Sequence, residues 1–238
     1  MDNTGDTRCL ALVPGWTFSV NDPTPATGRP VVGIADRTGV TITRPGPNTV
    51  AFNGFGFQPS VQLASVTGRT PDTTSRSLTL ALVTGGNSIW SAPVTIRAGS
   101  TTATGPALIL GAGTYTLTGT PPAGGPFGVG TQTGIDPSAT GAATVTLPYT
   151  AVMLTVTAQV GTTPRADATV TVTPATGTGP PAGTTNPSGV VVFRDLPAGT
   201  YTATAQAGTG ASLVRGTLTG QQFDAGARAV TVTMVAVP

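Results

Sequence analysis

The sequence predicts an all-β protein, two tandem sandwich domains preceded by an extended N-terminal arm, and three observations carry that prediction. The chain of 238 residues contains no Lys, Glu or His: all 11 basic residues are Arg and all 9 acidic residues are Asp. Solvated helix faces are normally filled with Glu, Lys, Gln and Ala, so the usual material for a surface helix is missing. Apolar residues alternate with threonine at period two, in short runs bounded by Gly, Pro, Asn and Asp, which is the pattern of antiparallel strands and their turns. One sandwich takes roughly 100 residues, so the chain holds two with a remainder.

That remainder is the arm, residues 1–61. Seven prolines interrupt it, at Pro14, Pro23, Pro25, Pro30, Pro45, Pro47 and Pro59. Residues 31–35, 40–43 and 49–52 have strand character, but a segment so broken by proline has little means of building its own core. It is expected to gain order by lying on another surface. Trp16, Phe18, Phe52, Phe55 and Phe57 are concentrated here and are the candidate interface residues, because interfaces favour aromatics. Cys9 is the one cysteine, so no internal disulfide forms, and it reads as a small buried or interface residue.

The first sandwich is placed at residues 62–149, with strands at 78–83 and 94–97. The second, at 150–238, has the clearest pattern: Val152, Leu154, Val156 and Ala158 alternate with Met153, Thr155 and Thr157. Ala168, Val170 and Val172 then alternate with Thr169, Thr171 and Thr173. Further strands are expected at 190–193, 200–205, 213–219 and 229–237. An internal repeat supports two copies. Residues 111–118 parallel 197–204, residues 141–147 parallel 226–232, and the repeat matches strand 78–83 with 152–158. Pro148, Tyr149 and Thr150 form a joint short enough to restrict movement between the domains.

Within residues 184–202, a glycine turn at Gly189 leads into a strand bearing Phe193, and a corner of Leu196, Pro197, Gly199 and Tyr201 leads into the next. This stretch resembles the prealbumin-like modules known as carboxypeptidase-regulatory-like or collagen-adhesin B-type domains. The resemblance covers about residues 151–238 and implies an immunoglobulin-like sandwich; it is poorly specific for function. Some adhesin modules of this type carry an intramolecular isopeptide bond. That bond needs a lysine amine, and this chain has no lysine.

Catalytic readings lack parts. Without His, Lys or Glu, no Ser-His-Asp, Cys-His or Schiff-base mechanism can be assembled. An Asp2/Asp6 or Asp195/Asp224 pair would be the only material for glycoside hydrolysis, and these read instead as turn-forming or solvated aspartates. No catalytic, cofactor-binding or metal-binding residues are assigned: one Cys without His does not make a zinc site, and no clustered aspartate loop suits calcium. Residues 124–130, Gly-rich but without Lys, read as a flexible loop rather than a phosphate cradle. Trp90 reads as a core or domain-edge residue.

A net charge of +2 spread over arginines from Arg8 to Arg228 makes no stripe for nucleic acid. No run is long enough to span a bilayer, and residues 1–6 do not read as a signal peptide. These features lead to the expectation of a non-enzymatic virion structural protein: a phage head decoration, fibre or tail appendage anchored by its arm. Its expected partners are capsid or tail proteins and further copies of itself, in a homo-oligomeric or multi-copy state, with a host surface glycan as a further partner. The alternative is a bacterial surface or secreted adhesin module. A carbohydrate-binding module is a third reading, weakened by an aromatic content of 5%.

Overall fold

The computed structural model describes residues 16–23, 28–41 and 49–238. Cys9, Asp2 and Asp6 lie outside the described residues. Three short strands come first: Trp16–Phe18 (β1), Val31–Val32 (β2) and Arg37–Val40 (β3). The first sandwich follows with Phe55–Leu63 (β4), Arg76–Thr84 (β5), Asn87–Ile96 (β6), Thr102–Thr104 (β7), Leu108–Leu110 (β8), Tyr115–Thr120 (β9), Gly130–Ile135 (β10) and Ala142–Leu147 (β11). The second comprises Val152–Val160 (β12), Thr163–Pro164 (β13), Thr169–Pro174 (β14), Gly183–Thr184 (β15), Val190–Leu196 (β16), Gly199–Ala207 (β17), Val214–Phe223 (β18) and Gly226–Ala236 (β19). Among the described residues the only helical element is a single 3-10 turn, Gly210–Ser212.

Two separate cores form. One gathers Val61, Leu80, Leu82, Leu108, Leu117 and Val145 with their neighbours, the other Leu154, Val156, Val170, Ala205 and Met234 with theirs. The alternation read from the sequence places the inner faces correctly. Val152, Leu154, Val156 and Ala158 are all buried and Thr155 and Thr157 face outward, but Met153, expected on the outer face with them, is buried as well. Trp90 is a core residue at 5% exposure.

The same connectivity occurs twice. In the first sandwich one sheet runs β10-β9-β5-β6, and the other runs β11-β4-β8-β2 with β7 also on β4. In the second, β15-β14-β17-β18 faces β16-β12-β19, and β18 and β19 join at Val214↔Ala236 and Arg215↔Val235. In each sandwich the first strand pairs in parallel with the last: β4 with β11, and β12 with β19. Each also has a buried tyrosine at the corner read from the sequence. Tyr115 Oη donates to the Gly111 carbonyl at 3.0 Å, and Tyr201 Oη to the Pro197 carbonyl at 2.7 Å, both four residues upstream.

This equivalence corrects the expected boundary. The counterpart of β12 is β4, not residues 78–83, and β5 is the counterpart of β14. The first sandwich therefore includes residues from Phe55 onward that had been assigned to the arm. Pro59 hides the strand from a sequence reading. Its position is tolerated because β4 changes partner there: residues 55–57 pair with β8 and residues 60–62 with β7. In the gap between them the Pro59 carbonyl accepts from Gly105 N at 2.9 Å.

Candidate functional site at the joint between the sandwiches

The joint peptide is fixed to the first sandwich by strand-like pairing. Gly128 N donates to the Pro148 carbonyl and Thr150 N to the Pro126 carbonyl, both at 2.9 Å, around a bridge between Phe127 and Tyr149. The Gly-rich stretch 124–130, expected as a flexible loop, is thus pinned along its second half. The Phe127 and Tyr149 rings meet edge to face with centroids 5.5 Å apart.

Arg69 occupies the centre. It sits on a turn closed by its own N–H to the Val66 carbonyl at 3.0 Å, and its side chain is only 7% exposed. Its guanidinium carbon stands 5.0 Å from the Phe127 ring centre and 5.4 Å from that of Tyr149, within cation–π range. Nη2 donates to Asp72 Oδ1 at 2.5 Å. The other Asp72 oxygen accepts from Arg76 Nε at 3.0 Å and Nη2 at 2.7 Å.

Across the joint the second sandwich contributes Arg194 and Asp195. Asp195 Oδ1 accepts from Tyr149 Oη at 3.0 Å and lies 3.5 Å from Arg69 Nε, an ionic contact that makes no hydrogen bond. Arg194 Nη1 donates to Thr70 Oγ1 at 2.7 Å. A bulge in β16 aims these residues: the register shifts between Val152↔Leu196 and Leu154↔Phe193, so Arg194 and Asp195 together oppose Met153. Asp195 has φ of 57°, a left-handed conformation that aspartate adopts more readily than most residues. Met153, also buried, packs toward Gly68, where an added β-carbon would come within 3.3 Å of its methyl.

Burial works against the Arg69 charge, but Asp195 and Asp72 outweigh it and hold the guanidinium protonated more firmly than usual. Burial likewise pushes the Asp72 carboxyl up. The hydrogen bonds from Arg76 and the charge of Arg69 prevail and bring it below the ordinary carboxylate range. The Tyr149 phenol is raised by burial first and by its bond to Asp195 second.

A depressed carboxyl contributes stability that is complete above its unfolded value and lost as pH falls through the folded one. A raised phenol contributes stability that is complete below its unfolded value and lost as pH rises through the folded one. The joint should therefore hold unchanged between about pH 5 and pH 9, and weaken only beyond both limits. Thermal melts across pH check this; a loss of coupling centred near neutrality would contradict it.

The aromatics proposed from the sequence as an interface fall on different elements. Trp16 and Phe18 lie on β1, which pairs with β3; Phe52 and Phe55 are half-buried at the start of the first sandwich. Phe57 points inward from β4 and is 2% exposed, so it is a core residue and offers nothing to a partner. Neither Arg69 nor Asp195 was singled out as a joint residue from the sequence. The available signal was the short joint at residues 148–150 beside a Gly-rich stretch carrying Phe127. Among the described residues no three acidic, cysteine or histidine side chains come together as a metal site.

No family model matches the chain, and no curated protein matches it. Solved structures with similar strand arrangements include the TIE protein of Bacillus anthracis, at 15% identity and a TM-score of 0.31, covering 77% of this chain and 34% of that one. The chain thus spans about a third of the length of the Bacillus anthracis protein. The shaft pilin SpaA of Lactobacillus rhamnosus GG matches at 11% identity and 0.35, covering 78% of this chain and all of that one. The minor pilin of Streptococcus agalactiae matches at 12% identity and 0.30, covering 76% and 98%.

Proposed function

We propose that the chain is a non-enzymatic spacer of a bacterial surface or secreted adhesive structure, two sandwiches held in line to transmit tension. The observation that carries this reading is the parallel pairing of first and last strands in both sandwiches. Parallel strands run the same way, so the chain enters each sandwich at one end and leaves it at the other. A hairpin-like return would bring both ends together and could not extend a stalk. The Arg69 cluster adds a fixed angle between the units.

The virion reading depended on an arm left free to anchor on a particle. Part of that arm lies on the chain's own first sandwich: β2 pairs with β8, and Val32 and Ile34 are buried. That arrangement favours the adhesin alternative, in which the sandwiches present the contacting surfaces. Immunogold labelling and fractionation of the native host test the location. Signal on the cell envelope or in secreted fibres supports the proposal, and signal confined to phage particles overturns it.

A further inference from the structure

The edge of the first sandwich outside β8 is formed by β2, a strand supplied by the segment ahead of β4 and not by the strands between β4 and β11. Val31 and Val32 run parallel to Ile109 and Leu110, Ile109 N donates to the Pro30 carbonyl at 2.9 Å, and Gly111 N donates to the Val32 carbonyl at 3.0 Å. Val32 and Ile34 are 3% and 7% exposed. The approach is close enough that a β-carbon at Gly111 would collide with the Gly33 carbonyl, and one at Gly33 with the Tyr115 hydroxyl. Asn21 clamps the far end, donating from Nδ2 to the Ile34 carbonyl at 2.5 Å and accepting from Ile34 N at 2.9 Å.

The second sandwich needs no such segment. Its counterpart of β8 is β16, which pairs with β12 on one side. On its other side, beside Arg194 and Leu196, no described strand pairs, and a groove of about 710 Å³ lies open. The sandwich closes its core there regardless. Residues 30–34 therefore behave as an added edge strand: Val32 joins the first core, while the second sandwich closes its own core with no counterpart of this segment. A bound peptide joined to its receptor by residues 35–54 is exchangeable: the same contacts form whether the peptide comes from the same chain or from another.

We propose that the outer edge of β8, with Gly111 and Tyr115, is a strand-acceptor groove that takes Pro30–Ile34 from a second copy when copies are crowded together. The inference rests on the surface-fibre reading only for that crowding. In dilute solution the tether keeps the peptide at home, because linkage supplies an effective concentration of about millimolar. At comparable concentrations of neighbours, exchange links copies without creating any new contact.

The test uses the full chain carrying Val31→Cys and Ile109→Cys, with Cys9→Ser to remove the native thiol. The two new cysteines face each other in register on strands ~4.8 Å apart, a span that a disulfide can close. Oxidation in dilute solution should give internally linked monomer. At millimolar concentration, a ladder of covalent dimers and larger species should appear on non-reducing gels. Adding Gly111→Val, which closes the groove, should abolish the ladder, and excess peptide of residues 28–36 should suppress it in the unaltered groove. Monomer alone at every concentration, or a ladder that persists despite both the valine and the peptide, overturns the proposal. Neither outcome depends on where the native protein resides, so this test can fail while the surface reading stands.

Discussion

Replacing Arg69 with alanine should uncouple the sandwiches and lower the stability of the whole chain by about 3 kcal/mol. Removing one partner from a buried ion pair typically costs about 3–5 kcal/mol, and the lower figure applies because Asp195 and Asp72 keep some access to water, at 36% and 17% exposure. Asp72 retains Arg76. Asp195 retains Tyr149, whose ring loses its cationic neighbour, while the Phe127 ring loses one of two and keeps Arg76 at 5.4 Å. The calorimetric trace of the native chain should contain one main transition and that of Arg69→Ala two, since each sandwich keeps its own core. Arg97→Ala is the control: this arginine is exposed and has no ion pair among the described residues, so its loss should stay within ~0.5 kcal/mol. If Arg69→Ala melts in one step at the native midpoint, the joint is not what couples the two domains.

The parts of this fold legible in the sequence were those governed by local alternation. β12 and β14 announce themselves through Val-Thr alternation, and Gly199 and Tyr201 mark a corner whose hydroxyl bond the structure supplies. β4 was missed because Pro59 argues against a strand unless one knows that its partner changes at that residue. That is a fact about β7 and β8, residues 40 or more positions away. The joint was legible only in its shortness. Arg69 and Asp195 are far apart in sequence, and they meet because a bulge turns one of them out of its sheet, a feature with no local signature beyond an aspartate tolerant of positive φ. The same bulge supplies Arg194 to Thr70, so a single irregularity of β16 creates that contact as well as those of Asp195 with Arg69 and Tyr149.

Under load the second sandwich should be far harder to unfold from its ends than across its sheet. Pulling on handles at Thr150 and Val237 draws β12 and β19 in opposite directions along their length. Their nine register pairs must then yield together, because a force parallel to the strands loads every bond of the ladder at once. Handles at Thr200→Cys and Gln222→Cys, kept reduced, act on register partners at one end of the β17–β18 ladder and pull perpendicular to it. That ladder opens one pair at a time, each step meeting only a single bond. The expected result is a substantially higher rupture force for the end-to-end geometry at equal loading rate, with equal equilibrium stability for the two handle pairs. The first sandwich has the shorter parallel clamp, six register pairs between β4 and β11, and should yield before the second when the full chain is stretched. Rupture forces that do not depend on pulling direction would mean that the parallel clamp bears no special load, and the tension-bearing role would have to be abandoned even if the protein is found on the cell surface.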